Sequence, residues 1–130
     1  MSTAASHALI QSGLVGEALE DGPVTVAVTD EHGRYVAVNR HLCDLLGYER
    51  EELLGRRLGE LSGLSEAEVL AGYDRTRAAG EVEGRLRVLR KDGTPLVLRY
   101  RAKATRVGGM EFVVGVGWPD ETHSAASSSG

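Results

Sequence analysis

The chain has 130 residues, 42% of them hydrophobic and 26% charged, enough apolar material for one domain with a closed core. Its 15 basic and 19 acidic residues leave a formal charge of -4 and form no basic block that would neutralise a phosphate backbone, which disfavours nucleic-acid binding. The single cysteine, Cys43, excludes an intrachain disulfide and favours a reducing, cytoplasmic location, and no run reaches the roughly 20 apolar residues that span a bilayer.

The opening MSTAASHALIQSG lacks the basic start and continuous apolar core of a signal peptide. Ala4, Ala8, Leu9, Val15, Ala18 and Leu19 predict a moderately amphipathic helix, broken near Gly13 because an interior glycine costs about 1 kcal/mol relative to alanine. Its apolar face has two possible docking partners, its own domain or a second copy or neighbouring helix. Asp21, Gly22 and Pro23 then stop the helix. Val24, Val26 and Val28 alternate with Thr25, Ala27 and Thr29, a strand with one strongly apolar face. Asp30 to Gly33 reads as a tight hairpin, and residues 34–38 return as a strand whose apolar area lies largely on Val36 and Val38.

Asn39 is placed to cap the next helix, in which Leu42, Cys43, Leu45 and Leu46 recur at helical spacing until Gly47. A further short turn covers Glu51 to Leu54, and Leu58, Leu61 and Leu64 continue in short helices and turns. Ser65 and Glu68 form an S-x-x-E capping box that opens a helix to Ala79, with Val69, Leu70 and Tyr73 as its buried stripe and Thr76 on the border. Three strands follow, separated by Lys91-Asp92-Gly93 and by Gly108-Gly109. In the second, Leu96, Leu98, Tyr100, Ala102 and Ala104 share a face; in the third, Met110, Phe112, Val114, Val116 and Trp118 do. An α+β fold results, with five antiparallel-type strands in one sheet and the helices on one face. The division is an N-terminal helix over 1–21, a domain over 22–119, and a small, polar tail over 120–130 that reads as disordered or as a linker.

These residues resemble a PAS domain, a sensory module of signalling proteins. The resemblance rests on Asp30, Gly33 and Arg34 in the first hairpin and on Asn39. It also rests on Leu46, Gly47, Tyr48, Glu52, Leu53 and Gly55, which match the segment GY-x-x-EEL-x-G, and on the late turn Arg90-Lys91-Asp92-Gly93. Together they cover about residues 22–118. The resemblance implies the strand order 2-1-5-4-3 with helices closing a pocket over the sheet. It further implies regulation through pocket occupancy or partner contact, and a homodimer or a signalling partner protein held by the leading helix and the outer sheet face. The interface candidates here are Ala8, Leu9, Val15, Leu19, Val97 and Val113. His41 departs from the small residue that many relatives carry there.

The chemistry-bearing residues do not assemble a reaction. His7, His32, His41 and His123 are scattered, and no metal-ligand spacing accompanies them. Haem-binding relatives carry a histidine on the helix before the third strand, and residues 66–79 have none, which leaves Tyr73 and His41 as poor substitutes. Flavin-binding relatives carry G-x-N-C-R-F-L-Q, which residues 55–61 lack, so haem and flavin are both disfavoured and Cys43 reads as a small core residue. Asp30 with Glu31, and Glu51 with Glu52, are adjacent and do not face one another as an acid/base pair must. The basic groups Arg85, Arg87, Arg90 and Arg99, Arg101, Lys103 read as solvated strand faces or contacts to an acidic partner.

No cofactor is predicted, and the expected pocket lining is apolar: Leu42, Leu46, Leu58, Leu61, Val69, Leu86, Leu98, Tyr100, Phe112 and Val114. With one Phe and one Trp in the chain, a planar cofactor is poorly supplied, and an aliphatic molecule such as a fatty acid fits better. The alternative is that these leucines fill the space, leaving a ligand-free dimerisation module; an enzyme with an unrecognised site is the reading from another class.

Overall fold

Two aspartates close the hairpins that frame the fold, and they do so by the same chemistry. Asp30 Oδ1 accepts the N–H groups of His32 and Arg34 at 2.9 and 3.0 Å. Asp92 Oδ1 accepts the N–H and the hydroxyl of Thr94 at 2.9 and 2.6 Å. Each turn finishes on a glycine with positive φ, 75° at Gly33 and 86° at Gly93, a region that costs L side chains energy. Gly33 carries a second constraint, since a Cβ there would lie 2.5 Å from Val69 Cγ1.

A computed structural model describes the backbone of residues 3–120 and the side chains of residues 10, 11 and 13–120. The order is α1 (Thr3–Glu20), β1 (Thr25–Asp30), β2 (Tyr35–Val38), α2 (Arg40–Leu46), α3 (Arg50–Leu53), α4 (Leu58–Ser62), α5 (Glu66–Ala79), β3 (Glu81–Leu89), β4 (Pro95–Val107) and β5 (Met110–Pro119). The five strands form one antiparallel sheet, β2-β1-β5-β4-β3, so the fold is α+β with the expected strand order. The expected caps are present: Asn39 Oδ1 accepts Leu42 N–H at 3.1 Å, Ser65 Oγ accepts Glu68 N–H at 3.1 Å, and Gly47 ends α2 in the left-handed region. Leu46, Leu53 and Val88 are the most deeply buried apolar side chains, each worth about 1.5–3 kcal/mol relative to exposure. The outer edge of β2 is not bare, because Tyr35 N–H donates to Arg56 O and its carbonyl accepts from Gly55 N–H, both at 2.9 Å.

Four local expectations change. The first helix runs unbroken from Thr3 to Glu20 through Gly13: the glycine penalty lowers stability without stopping the hydrogen-bond ladder. In β2 the buried residues are Tyr35 and Val38, while Val36 is exposed. A bulge sets Thr29 opposite Tyr35 and Val28 opposite Ala37, so Val36 is the extra residue and the alternation shifts across it. On α5 Leu70 is exposed and Thr76 is buried; the Thr76 hydroxyl donates to Gly72 O at 2.8 Å, which satisfies the polar group and lets its methyl face inward. The fourth change is in β5. Its register puts Val113, Gly115 and Gly117 on the helix side, with Phe112 and Val114 on the opposite, outer face.

Candidate functional site: a cavity between sheet and helices

The sheet face beneath the helices is nearly bald where its central strands meet. Ala27 of β1 pairs with Gly115 of β5, which pairs with Ala102 of β4. The next row is Thr25, Gly117 and Tyr100. The bulkier apolar side chains of β1 and β5, Val26, Val28, Val114 and Val116, are paired on the outer face instead. Close packing requires volume from one side or the other, and this floor supplies little. A cavity of about 400 Å³ remains, lined above by Leu42, Leu46, Leu58, Leu64, Val69 and Thr76. At about 30 Å³ per water it exceeds any packing defect, and it lies within the size range of small-molecule sites.

Of the ten lining candidates, Leu42, Leu46, Leu58, Val69, Leu86, Leu98 and Tyr100 meet around this cavity. Leu61 is buried in the adjoining core without lining it. Phe112 and Val114 lie on the other sheet face. Sequence reasoning assigned them inward because the larger apolar set of a strand normally faces the core, and here the smaller set does. The floor residues Thr25, Ala27, Thr29, Gly115 and Gly117 and the buried Tyr35 were missed. Small residues at period two on neighbouring strands were the available signal.

The polar groups of the lining are mostly hydroxyls. Thr25 and Tyr35 are each 5% exposed, and burial pushes the Tyr35 phenol far above its usual range, so it remains a neutral donor. Tyr100 lies over Gly84 of β3, where a Cβ would sit 3.1 Å from its hydroxyl oxygen. Tyr73 is already engaged, donating to Glu111 Oε2 at 2.6 Å. Desolvation and that bond raise the Tyr73 phenol to about 12. Asp30, Glu68 and Glu83 border the lining as well, with Arg75 the basic residue among the described ones; Asp30 and Glu83 are in register with Phe112 and Arg101 of the outer face.

Asn39 links the cavity wall to the leading helix. It is 4% exposed, and its Oδ1 accepts Val26 N–H and Leu42 N–H at 2.9 and 3.1 Å. Its Nδ2 donates to Leu19 O and Val24 O at 2.6 and 2.9 Å. One amide therefore ties the end of α1, the start of β1 and the first turn of α2. Glu20 reinforces the tie by pairing with Arg50 and accepting the Arg40 N–H at 3.2 Å; the Arg50 hydrogen bond holds its carboxyl below the usual range.

The residues that carried the family resemblance form a second clasp. Lys91 Nζ reaches both Glu52 oxygens at 2.9 and 2.7 Å, its N–H donates to Leu46 O at 2.8 Å, and its ammonium lies 5.9 Å from the Tyr48 ring centre. Two motifs distant in sequence are thus one contact, and its work is to hold the hairpin on the helices.

The remaining candidates stay apart. His32 is exposed beside Glu31 at 3.6 Å, His41 is half-buried on α2, and His7 and His123 lie outside the described side chains. Cys43 is buried, and desolvation pushes its thiol up. Among the described residues no group of three His, Cys, Asp or Glu could hold a metal ion. Arg85 pairs with the buried Asp120 at 2.5 Å and Arg101 with Glu83 at 3.2 Å; both arginines are exposed. Of the interface candidates, Val97 is half-buried on the outer face and Val113 lines the cavity. Val15 and Leu19 are exposed on α1 beside Ile10 and Leu14, and the side chains of Ala8 and Leu9 lie outside the described set. The tail beyond Asp120 also lies outside it. No described helix is long and apolar enough to cross a membrane.

Residues 23–118 match the family model of the PAS domain. No curated protein sequence matches the chain. Among solved structures, the PAS domain of an HTR-like protein from Haloarcula marismortui superposes with a TM-score of 0.78 at 20% identity, over 91% of this chain and 99% of that one. A PAS domain from a two-component sensor histidine kinase gives 0.75 at 12% identity, over 87% and 99%. A domain of a sensory box sensor histidine kinase/response regulator from Geobacter sulfurreducens gives 0.72 at 24% identity, over 82% and 92%.

Proposed function

The chain belongs to the PAS domain family, and we propose that it is a non-enzymatic, cytoplasmic sensory module that couples an apolar small molecule in its cavity to the position of α1, acting as a homodimer or on a signalling partner. PAS domains serve as sensory and interaction modules. The observation that carries the reading is the cavity of about 400 Å³ whose wall residue Leu42 shares the Asn39 side chain with Leu19 of α1. A ligand that shifts the first turn of α2 must strain or relax the same amide that holds the helix. An aliphatic occupant suits the lining, which offers leucines and valines rather than an aromatic box.

Native mass spectrometry beside denaturing extraction tests this. The expected result is a stoichiometric small molecule retained by the folded chain, or taken up from an added aliphatic probe. Ala102→Leu, which puts bulk onto the bald floor, should abolish uptake while the chain stays folded. Hydrogen exchange at the end of α1 should change with occupancy. A chain that takes up nothing would leave the second reading, a ligand-free dimerisation module. That reading is favoured by the exposed Ile10, Leu14, Val15 and Leu19 on α1 and by the valine-rich outer face of β1 and β5.

A further inference from the structure

Two buried hydroxyls of the cavity lining are left over by the fold. Tyr35 and Thr25 are both 5% exposed and both line the cavity, and neither hydroxyl has a hydrogen-bond partner among the described residues. A buried polar group without a partner costs free energy that a ligand able to bond it can recover. We propose, resting on the reading of the cavity as a ligand compartment, that its occupant is an uncharged aliphatic molecule with a hydroxyl or carbonyl head that bonds Tyr35 or Thr25, and that the cavity selects against the corresponding carboxylate.

Charge supplies the second half of the argument. A carboxylate brought out of water needs a cation or several strong donors. Arg75, the one basic residue of the lining among the described residues, is exposed. Of the acids that border the lining, Glu83 pairs in register with Arg101 and Asp30 with Phe112, both on the outer face, which leaves Glu68 to share the lining with Arg75. The Glu83 carboxyl is turned to Arg101 at 3.2 Å, and the Glu68 carboxyl is kept ionised by the Ser65 N–H it accepts at 3.0 Å. An anionic head would meet neutral hydroxyls inside and no buried cation among the described lining residues, with Glu68 and Arg75 both exposed at the rim. An alcohol or ketone meets donors and acceptors it can use, since a hydroxyl serves as either.

The test compares octanol with octanoate as competitors for Nile red, a neutral apolar dye, on the full chain after co-purifying small molecules are removed on a hydrophobic resin. At about pH 8, far above the carboxyl pKa of about 4, octanol should displace the dye at a concentration lower by at least about tenfold. Tyr35→Phe with Thr25→Val should weaken octanol by roughly 3- to 10-fold, the worth of one ordinary hydrogen bond. The ligand-free melting temperature of that variant should hold or rise, because it removes unpartnered hydroxyls; a fall would give those hydroxyls a structural role and overturn the assignment. Octanoate binding as well as octanol, or octanol binding unweakened in the variant, refutes the head-group preference alone. Failure of the dye and of both competitors to bind refutes the ligand compartment itself, and the proposal with it.

Discussion

Replacing Asn39 by alanine removes the fastening of three elements at once, and its cost can be worked from the geometry. If Asn39 were only the N-cap of α2, its loss would cost about 1 kcal/mol. Its amide, however, also serves Val26 N–H, Leu19 O and Val24 O at 2.9, 2.6 and 2.9 Å. Each group left without a partner in a buried site costs about 1 kcal/mol or more, less whatever water restores. The expected total is about 3–4 kcal/mol, a large share of the roughly 5–15 kcal/mol that holds a domain together. At about 4 °C per kcal/mol for a chain of this size, the melting temperature should fall by about 12–16 °C. Urea unfolding followed by circular dichroism gives the free energy directly. Ser65→Ala, which removes an exposed cap of α5, is the matched control at about 1 kcal/mol. Equal losses in the two variants would refute the hub, and so would an Asn39→Ala chain whose last α1 turn keeps its amide protection.

Gly33→Ala and Gly93→Ala separate backbone strain from steric conflict. Both have positive φ, but a Cβ at residue 93 meets open space, whereas at residue 33 it strikes Val69. Gly93→Ala should cost about 1 kcal/mol and Gly33→Ala about 2–4 kcal/mol, read by urea melts; similar values would show that α5 yields freely. The Lys91 hydrogen bond holds the Glu52 carboxyl below its ordinary value. Because the folded-state pKa is the lower one, the stabilisation is present above the unfolded pKa of about 4.3 and is lost as pH falls through the folded value. Melting temperatures scanned downward from about pH 6 should therefore decline below about pH 5, and Glu52→Gln should flatten that decline; an unchanged slope would remove the clasp from the acid response. For self-association, Ile10→Glu with Leu14→Glu should lower the sedimenting mass from dimer to monomer without changing the melting temperature of the monomer, since both side chains are exposed. The single tryptophan, Trp118, is 37% exposed and should shift its emission to the blue as concentration rises in the wild type only. A wild type that sediments as monomer at every concentration ends the dimer proposal.

What the sequence made legible follows from where local chemistry decides the structure. Asp30, Gly33, Asn39, Gly47, Ser65, Asp92 and Gly93 each act within a few residues of themselves, so turns and caps were readable one at a time. Strand boundaries followed from period two. Period two does not say which face turns inward, and the usual assumption that the bulkier apolar set is buried fails on β5, where Gly115 and Gly117 face the helices and Phe112 and Val114 do not. The bulge at Val36 defeated the alternation of β2 for a related reason, since one extra residue exchanges the faces and nothing in Arg34 to Val38 marks it. Leu70 was misplaced because the inward stripe of α5 runs through Val69, Gly72, Tyr73 and Thr76, at i, i+3, i+4 and i+7, and Leu70 lies off it.

The inverted faces of β5 and the cavity are one fact seen from two sides. A domain selected only for stability would turn Val26, Val28, Val114 and Val116 toward its helices and fill the space, since each buried valine contributes about 1.5 kcal/mol or more. This chain places alanine and glycine at the centre of that face, with Val113 beside them, and carries Val26, Val28, Val114 and Val116 on the surface that faces away. The arrangement forgoes core stability twice, by leaving a cavity and by leaving apolar area half-exposed, and the two proposed partners, an apolar molecule inside and a protein surface outside, would recover both terms. Between those two surfaces lies a single sheet only one residue thick, with Ala27, Gly115 and Ala102 on one side and Val28, Val114 and Lys103 on the other. On the proposed reading, a ligand pressing on the floor would act on the strands that present those outer valines, while Asn39 would carry the displacement to α1. Filling the floor with Ala102→Leu separates these consequences: it should raise the melting temperature of the ligand-free chain, abolish uptake of an aliphatic probe, and leave self-association independent of that probe. A filled chain whose association still responds to the probe would place the sensing elsewhere than in this cavity.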